Sequence, residues 1–480
     1  MHTTLQVADV LLLVYFVVLD LVYGSMAVIG WTAVNGYVKR RPLRDYSRVA
    51  RSSLSPAITI LVPAHGEELT IAGSVRGLLL SHYPALEIVV VNDGSTDGTL
   101  AALQAEFHLH PIKRVPSAAV ECAPIRGLYA SASTPNLTVI DKENGGKADA
   151  LNAGLRYCRT PLFCTIDADT ILDANALSRI VWEFEVNPDT VAAGGIVRVL
   201  NGSTVCGGQV QDVVTSRNYL ANLQILEYLR AFLGGRIAWS RLGMLLIISG
   251  AFGLFDRRAV VEAGGYDTGT VGEDAELVLR LHRHRREQGR DCHIVFFPDP
   301  ICWTEAPTTL RVLRRQRDRW QRGLLEMLWK HRGMILRPRY GAVGTVAMPY
   351  FIVFEAFGPL IEVSGYVLFG VSVGVGAVSW STALFFLMLA VAFGFALSYM
   401  TLLIEERAFQ RYPSWRCLGR LILTSLLENL GYRQWLALVR TRAWWTQLRG
   451  GAGWGEMQRR GLTAETLPRG PAPDQPAASG

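Results

Sequence analysis

Apolar positions along this chain follow two different patterns. At its two ends they form long, almost unbroken runs, at residues 8–34, 345–370 and 380–403. Each run is long enough for a membrane-spanning helix, which needs about 20 residues. Residues 371–379, with two glycines and two serines, join the last two runs into an expected membrane hairpin. In the middle the apolar runs are short: 58–62, 87–91, 137–140 and 162–166. Between them, 67–81 and 148–157 carry helical spacing. Short apolar strands alternating with helices predict a parallel sheet covered on both faces, with ligands gathering at the carboxyl ends of its strands. Residues 310–331 read as a basic amphipathic helix. Residues 421–439 are apolar but interrupted by Glu428, Asn429 and Arg433, which favours an interfacial or re-entrant helix over a fourth span.

Charge orients this arrangement. Lys39, Arg40, Arg41, Arg44, Arg48 and Arg51 follow the first run, against the single acid Asp45. Positive flanks stay cytoplasmic, so the N-terminus is expected outside and the middle of the chain inside. No basic stretch precedes the first run and no small-residue cleavage site follows it, unlike a signal peptide. Asp20 lies within it and should face other helices. The expected divisions are an N-terminal transmembrane helix (1–38), a basic cytoplasmic linker (39–54), one catalytic domain with interfacial helices at its end (55–335), the membrane hairpin (340–404), a cytoplasmic loop with a further helix (405–462) and a Pro/Ala/Gly-rich disordered tail (463–480).

Composition agrees. Half of the 480 residues are hydrophobic and the net charge is +7. In a membrane protein such charge marks cytoplasmic loops and surfaces near anionic lipid. No nucleic-acid module accompanies it, and nucleic acid is not an expected partner. The seven cysteines are scattered, with no C-x-x-C, which argues against structural zinc and suits a reducing compartment. In that compartment the sequons at Asn136 and Asn201 carry no meaning.

The candidate chemistry comes in a fixed order. Asp93 stands at a strand end in Asn92-Asp93-Gly94-Ser95, a segment that could equally be a helix-capping turn. Lys147 follows Asn144-Gly145-Gly146 at a helix start, where it could reach phosphate. The segment lacks the pattern of a P-loop. Asp167-Ala168-Asp169 follows an apolar strand, and two carboxylates at i and i+2 can share Mg²⁺ or Mn²⁺ with a diphosphate. Gly272-Glu273-Asp274 opens a helix; its acids are either capping groups or include a general base, Asp274. Gln316-Arg317-Asp318-Arg319-Trp320 lies in the basic helix, either as a lipid-facing surface or as a site where Arg319 meets diphosphate and Trp320 stacks on sugar.

This ordered set resembles the processive, membrane-embedded family-2 inverting glycosyltransferases, which include cellulose, chitin, hyaluronan and poly-N-acetylglucosamine synthases. The likeness runs from about Ile58 through the membrane hairpin. It implies an α/β GT-A (Rossmann-like) cytoplasmic catalytic domain plus an α-helical transmembrane region. Carried over by position, Ala64, Glu67 and Asp93 would hold uridine. Lys147, Asp167 and Arg319 would face the diphosphate, and Asp167 and Asp169 the metal. Ser249, Gly250, Ala251 and Phe252 match the segment near the acceptor sugar. Asp274 matches the base, and Glu273, Gln316 and Trp320 the acceptor and channel mouth. The resemblance implies a UDP-sugar donor, a polysaccharide acceptor, surrounding membrane lipid, and export of a β-linked polymer through the membrane helices; it leaves room for an accessory envelope subunit. The base segment reads Gly-Glu-Asp, not the Thr-Glu-Asp of cellulose synthases, and nothing resembles a cyclic-di-GMP-binding domain. The likeness is therefore greatest to poly-N-acetylglucosamine and hyaluronan synthases. Two rivals are a non-processive transferase that adds one sugar to a lipid, and a catalytically silent scaffold, which should have lost at least one of these acids.

Overall fold

The computed structural model describes residues 2–449 apart from 44–45, 47–48, 50–51, 53–54, 207, 411 and 413. Half of the basic linker and the whole expected disordered tail lie outside the described residues. The strands are β1 (Ile58–Ala64), β2 (Leu86–Asp93), β3 (Leu109–Pro111), β4 (Ile125–Ser131), β5 (Leu137–Lys142), β6 (Leu162–Ile166), β7 (Ile171–Leu172), β8 (Thr190–Val199), β9 (Thr204–Cys206), β10 (Gln209–Asp212), β11 (Phe252–Asp256) and β12 (His293–Thr304). Ten of them form one sheet in the order β3-β4-β5-β2-β1-β6-β11-β8-β12-β7.

The four strands expected from short apolar runs are β1, β2, β5 and β6, and they pair in parallel. Their apolar side chains are buried, as in a sheet whose two faces are covered by helices. The sheet as a whole is mixed, which corrects the purely parallel expectation. β4 lies antiparallel to β5, and β11 lies antiparallel to both β6 and β8. A short apolar run carries no mark of its direction; β11 is reached only after the helical excursion through Tyr219–Arg241. The reversal matters for chemistry. Phe252 pairs with Ile166, so the residues leading into β11, Ser249 to Ala251, arrive beside the carboxyl end of β6 and Asp167.

Among the described residues, two helices are long and apolar enough to cross a membrane, Thr4–Leu43 and Trp380–Ala408. A third candidate passes only as a bent pair, Val343–Ala356 and Gly358–Gly374, at 41°. The first arm of the expected hairpin is thus broken, not straight. Pro349 and Pro359 stand on either side of the bend, and each removes a backbone donor from the helix. The ambiguous region becomes two short helices, Trp415–Leu427 and Tyr432–Leu448. The residues that interrupt its apolar run point inward. Glu428 is fully buried, accepts from Ser398 Oγ at 2.6 Å and pairs with Arg230.

The catalytic sheet is tied to the apolar helices by another buried pair. Arg198 of β8 donates to both carboxylate oxygens of Glu405, at 2.6 and 2.7 Å, near the end of the Trp380–Ala408 helix. Two buried charges hold each other only while both are present. We expect Arg198→Met to lower stability by about 3–5 kcal/mol, and Arg198→Met with Glu405→Leu to recover most of that loss. Thermal unfolding in detergent measures it; a single variant as stable as the parent would show that the pair carries no such weight.

Candidate active site

The site is built at the carboxyl ends of β1, β2, β5 and β6. β2 and β5 end in register, with Asp93 opposite Lys142. Lys142 is fully buried and lies 2.6 Å from both Asp93 and Asp149. Burial works against its charge, but its hydrogen bonds to the two carboxylates more than offset this and hold the ammonium above its ordinary pKa. Asp93 also accepts the N–H of Gly145 at 3.0 Å and of Gly146 at 2.8 Å. Its carboxylate therefore shapes the loop leading to Lys147. Gly94 adopts φ +62°, and a Cβ there would lie 2.6 Å from the Asn144 nitrogen, so this close approach of two loops needs glycine.

Two other residues expected at the nucleotide are built into the same end of the sheet. Ala64 is buried at the end of β1. Glu67 donates its N–H to Thr99 Oγ1 at 2.9 Å, while its carboxylate accepts from Thr70 Oγ1 at 2.7 Å.

Lys147 begins the Lys147–Tyr157 helix, and its ammonium is the centre of the charged cluster. It lies 2.6 Å from Asp167 and 3.4 Å from Glu273, and it donates to the Gly250 carbonyl at 3.1 Å. Burial opposes its charge, but Asp167, Glu273 and Asp274 outweigh burial and raise its pKa. Glu273 is also buried. Desolvation pushes its pKa up, Lys147 and Arg319 oppose this, and Asp274 adds to it, leaving the carboxyl above its ordinary range. Gly250 holds the two candidate reacting groups together: a Cβ there would lie 3.1 Å from both Asp274 Oδ2 and Lys147 Nζ. The structure thus brings Lys147, Asp167, Gly250, Glu273 and Asp274 into one cluster, with Ser249, Ala251 and Phe252 alongside through β11.

The Leu310–Lys330 helix supplies the other wall. Arg319 is close enough for its charge to act on Glu273. The Gln316 side-chain oxygen, Oε1, is buried with no hydrogen-bond partner among the described residues. Trp320 is half exposed, with the Arg317 guanidinium 4.1 Å from its ring centre. Arg317 itself is committed to Glu227 at 2.7 Å, so the two arginines of the motif do different work.

This helix also fixes the turn carrying Asp274. Glu326 accepts from Thr270 Oγ1 and Val271 N, both at 3.0 Å. Gly272 and Gly323 pack backbone to backbone. Lys142, Asn152 and Gly323 were not among the residues singled out in the sequence. Lys142 stands at the end of an apolar strand, a place that reads as a strand boundary.

No group of three or more His, Cys, Asp or Glu able to hold a metal occurs among the described residues. Asp167 and Asp169, two apart after β6, fit a divalent cation as partial ligands whose remaining sites go to diphosphate oxygens and water. That suits Mg²⁺ or Mn²⁺, which bind through few carboxylates and substrate phosphate.

The glycine contact gives a stability test. A Cβ on Gly323 would lie 2.9 Å from Gly272 Cα, and overpacking of this kind costs about 1–3 kcal/mol. A Cβ on Gly73, inside the Ile71–Leu79 helix, meets nothing within 4 Å, so Gly73→Ala should gain up to about 1 kcal/mol from helix propensity. Melting temperatures should move in opposite directions for Gly323→Ala and Gly73→Ala. A neutral Gly323→Ala would show that the contact is slack.

Residues 56–323 match the family described as glycosyltransferase like family 2. The chain is 30% identical over 302 residues to the poly-beta-1,6-N-acetyl-D-glucosamine synthase of Staphylococcus aureus strain COL, covering 62% of this chain and 60% of that one. It is 28% identical over 294 residues to the synthase of the same name from Staphylococcus epidermidis, covering 61% and 60%. The matched region therefore spans about three fifths of the length of these relatives. A solved mannosyltransferase, PcManGT from Pyrobaculum calidifontis in complex with GDP-Man and Mn²⁺, superposes with a TM-score of 0.49 at 19% identity, covering 86% of this chain and 99% of that one. With more than half of its residues matched by the family, and with the acids of the ordered motif set in place, this chain belongs to the family-2 glycosyltransferases.

Proposed function

We propose that this protein is a membrane-embedded inverting glycosyltransferase that polymerises a sugar from a UDP-sugar donor into a β-linked polysaccharide and exports the chain through its membrane helices. The observation that carries the reading is the meeting of Asp274 and Lys147 at Gly250, with Asp167 2.6 Å from the lysine. A carboxylate able to take a proton thus stands beside a cation able to face a diphosphate. The names of the staphylococcal relatives make UDP-N-acetylglucosamine the first donor to test.

In this reading Asp274 removes the proton from an acceptor hydroxyl as its oxygen attacks the anomeric carbon. The bond from that carbon to the diphosphate breaks on the opposite side, and UDP leaves with the electron pair. Lys147 and Arg319 offset the charge that develops on it. A bound Mg²⁺ or Mn²⁺ on Asp167 and Asp169 would neutralise further diphosphate charge. Asp93 acts through Lys142 and the Gly145–Gly146 amides to place Lys147, and Glu67 steadies the turn at the uridine end. Trp320 and Gln316 lie on the helix facing the acceptor path. Residues 55–335 form the catalytic unit on the cytoplasmic face. The long apolar helices, with lipid around them, form the membrane unit.

The test is UDP release by the full-length protein in detergent, with UDP-N-acetylglucosamine and Mg²⁺ or Mn²⁺. Asp274→Asn should lower kcat by about 10²-fold or more, in keeping with the usual contribution of a general base, and leave UDP binding in place. A chelator should abolish turnover and either ion should restore it. An Asp274→Asn variant turning over at the parental rate would remove this residue as the base. Product sizing then separates a polymer from the transfer of a single sugar.

A further inference from the structure

Beneath the charged cluster lies a small recess lined by Lys147, Thr165, Ser249, Gly250, Tyr266 and Asp274, among others. Tyr266 is 5% exposed, and its hydroxyl is buried with no hydrogen bond of good geometry among the described residues, the Thr165 side chain being the one group of these that reaches it. The rest of the residue is held firmly. Its N–H donates to Asn152 Oδ1 at 2.7 Å, and its carbonyl accepts from Asn152 Nδ2 at 2.9 Å. Gly265 before it adopts φ +76°, and a Cβ there would lie 2.7 Å from Asn152 Oδ1, so glycine permits this double clamp. Asn152 belongs to the helix that starts at Lys147. The Tyr266 ring packs edge-on against Phe255, with centroids 6.5 Å apart at 80°.

The well-formed contacts that fix Tyr266 are thus made by its backbone and its ring. A phenylalanine would keep all of these. The hydroxyl, met only loosely by Thr165, adds little to the fold and carries most of the desolvation cost of a buried polar group. Glu273 and Asp274 are near enough for their charges to act on it. Tyr266 also lines a second, polar cleft with Glu121, Asp149 and Lys330.

We propose that the Tyr266 hydroxyl contacts substrate, exchanging a hydrogen bond with a hydroxyl of the sugar seated at Asp274. This rests on the glycosyl-transfer reading above and assigns one more group to it. Bound sugar would give the hydroxyl the well-formed hydrogen bond that Thr165 does not. A phenol both donates and accepts, so it can meet a sugar hydroxyl in either sense.

The experiment compares Tyr266→Phe with the parent in full-length protein, by UDP release from UDP-N-acetylglucosamine and by thermal unfolding in detergent. The variant should lose about tenfold to a hundredfold in kcat/KM, the range expected for one hydrogen bond to substrate. Its melting temperature should stay the same or rise. A kcat/KM within twofold of the parent overturns the proposal. So does a fall in melting temperature matching the loss of rate, which would place the hydroxyl in the fold. If Asp274→Asn is inactive while Tyr266→Phe turns over normally, the tyrosine assignment fails and the glycosyl-transfer reading stands. If the parent turns over no UDP-sugar, both fail together.

Discussion

A fully buried lysine sets the frame on which the rest of the site depends. Lys142 stays charged inside the protein because Asp93 and Asp149 each stand 2.6 Å from it. Without both, desolvation would oppose the ammonium and leave two acids buried without their shared cation. The group ties three segments together. Asp93 ends β2, Lys142 ends β5, and Asp149 lies in the first turn of the next helix and accepts the Ala123 N–H. With Asp93 also holding the Gly145 and Gly146 amides, the helix can begin only where Lys147 projects between Asp167 and Glu273. The charges around Lys147 are placed by charges buried behind them.

The same economy appears where the sheet meets the apolar helices. A catalytic domain joined to such helices by apolar contact alone could slide, because apolar packing is not directional. Arg198–Glu405 and the group around Glu428 and Arg230 are directional, and they are buried. Glycine adds closeness. A Cβ on Gly30 of the first long helix would lie 2.2 Å from the Leu233 carbonyl oxygen, so that helix touches the Arg230–Arg236 segment backbone to backbone.

Much of this was legible in the sequence, and what was hidden has a physical reason. Apolar periodicity located β1, β2, β5 and β6 because strands buried on both faces are apolar throughout. It could not give strand direction, and so it missed the antiparallel β11 that delivers Gly250 to Asp167. The ordered acids could be listed from the sequence, yet Asp93 and the Glu273-Asp274 pair each had an ordinary capping alternative, and the approach of Asp167, Glu273 and Asp274 to Lys147 and Gly250 could not be read from it. Asn152 and Tyr266 were invisible because a side chain clamping a distant backbone leaves no local pattern. Glu428, Asn429 and Arg433 were seen as breaks in an apolar run, and Glu428 proves to be an inward-facing contact.

The Leu310–Lys330 helix shows why a transferase of this family should be built into its apolar helices instead of tethered to them. Arg319, Gly323, Glu326 and Lys330 recur at helical spacing, and this stripe holds the turn that carries Asp274. Arg317 and Gln321 lie on another stripe. Arg317 binds Glu227, and Gln321 accepts from Arg440 Nε at 2.8 Å and donates to the Ala356 carbonyl at 3.2 Å. Ala356 lies at the bend of the broken apolar pair, where Trp444 Nε1 donates to the same carbonyl at 2.7 Å. One helix therefore touches the turn that carries Asp274 on one side and the bend in the apolar segment on the other. Any displacement of that bend must either break these hydrogen bonds or carry the helix, and Asp274 with it.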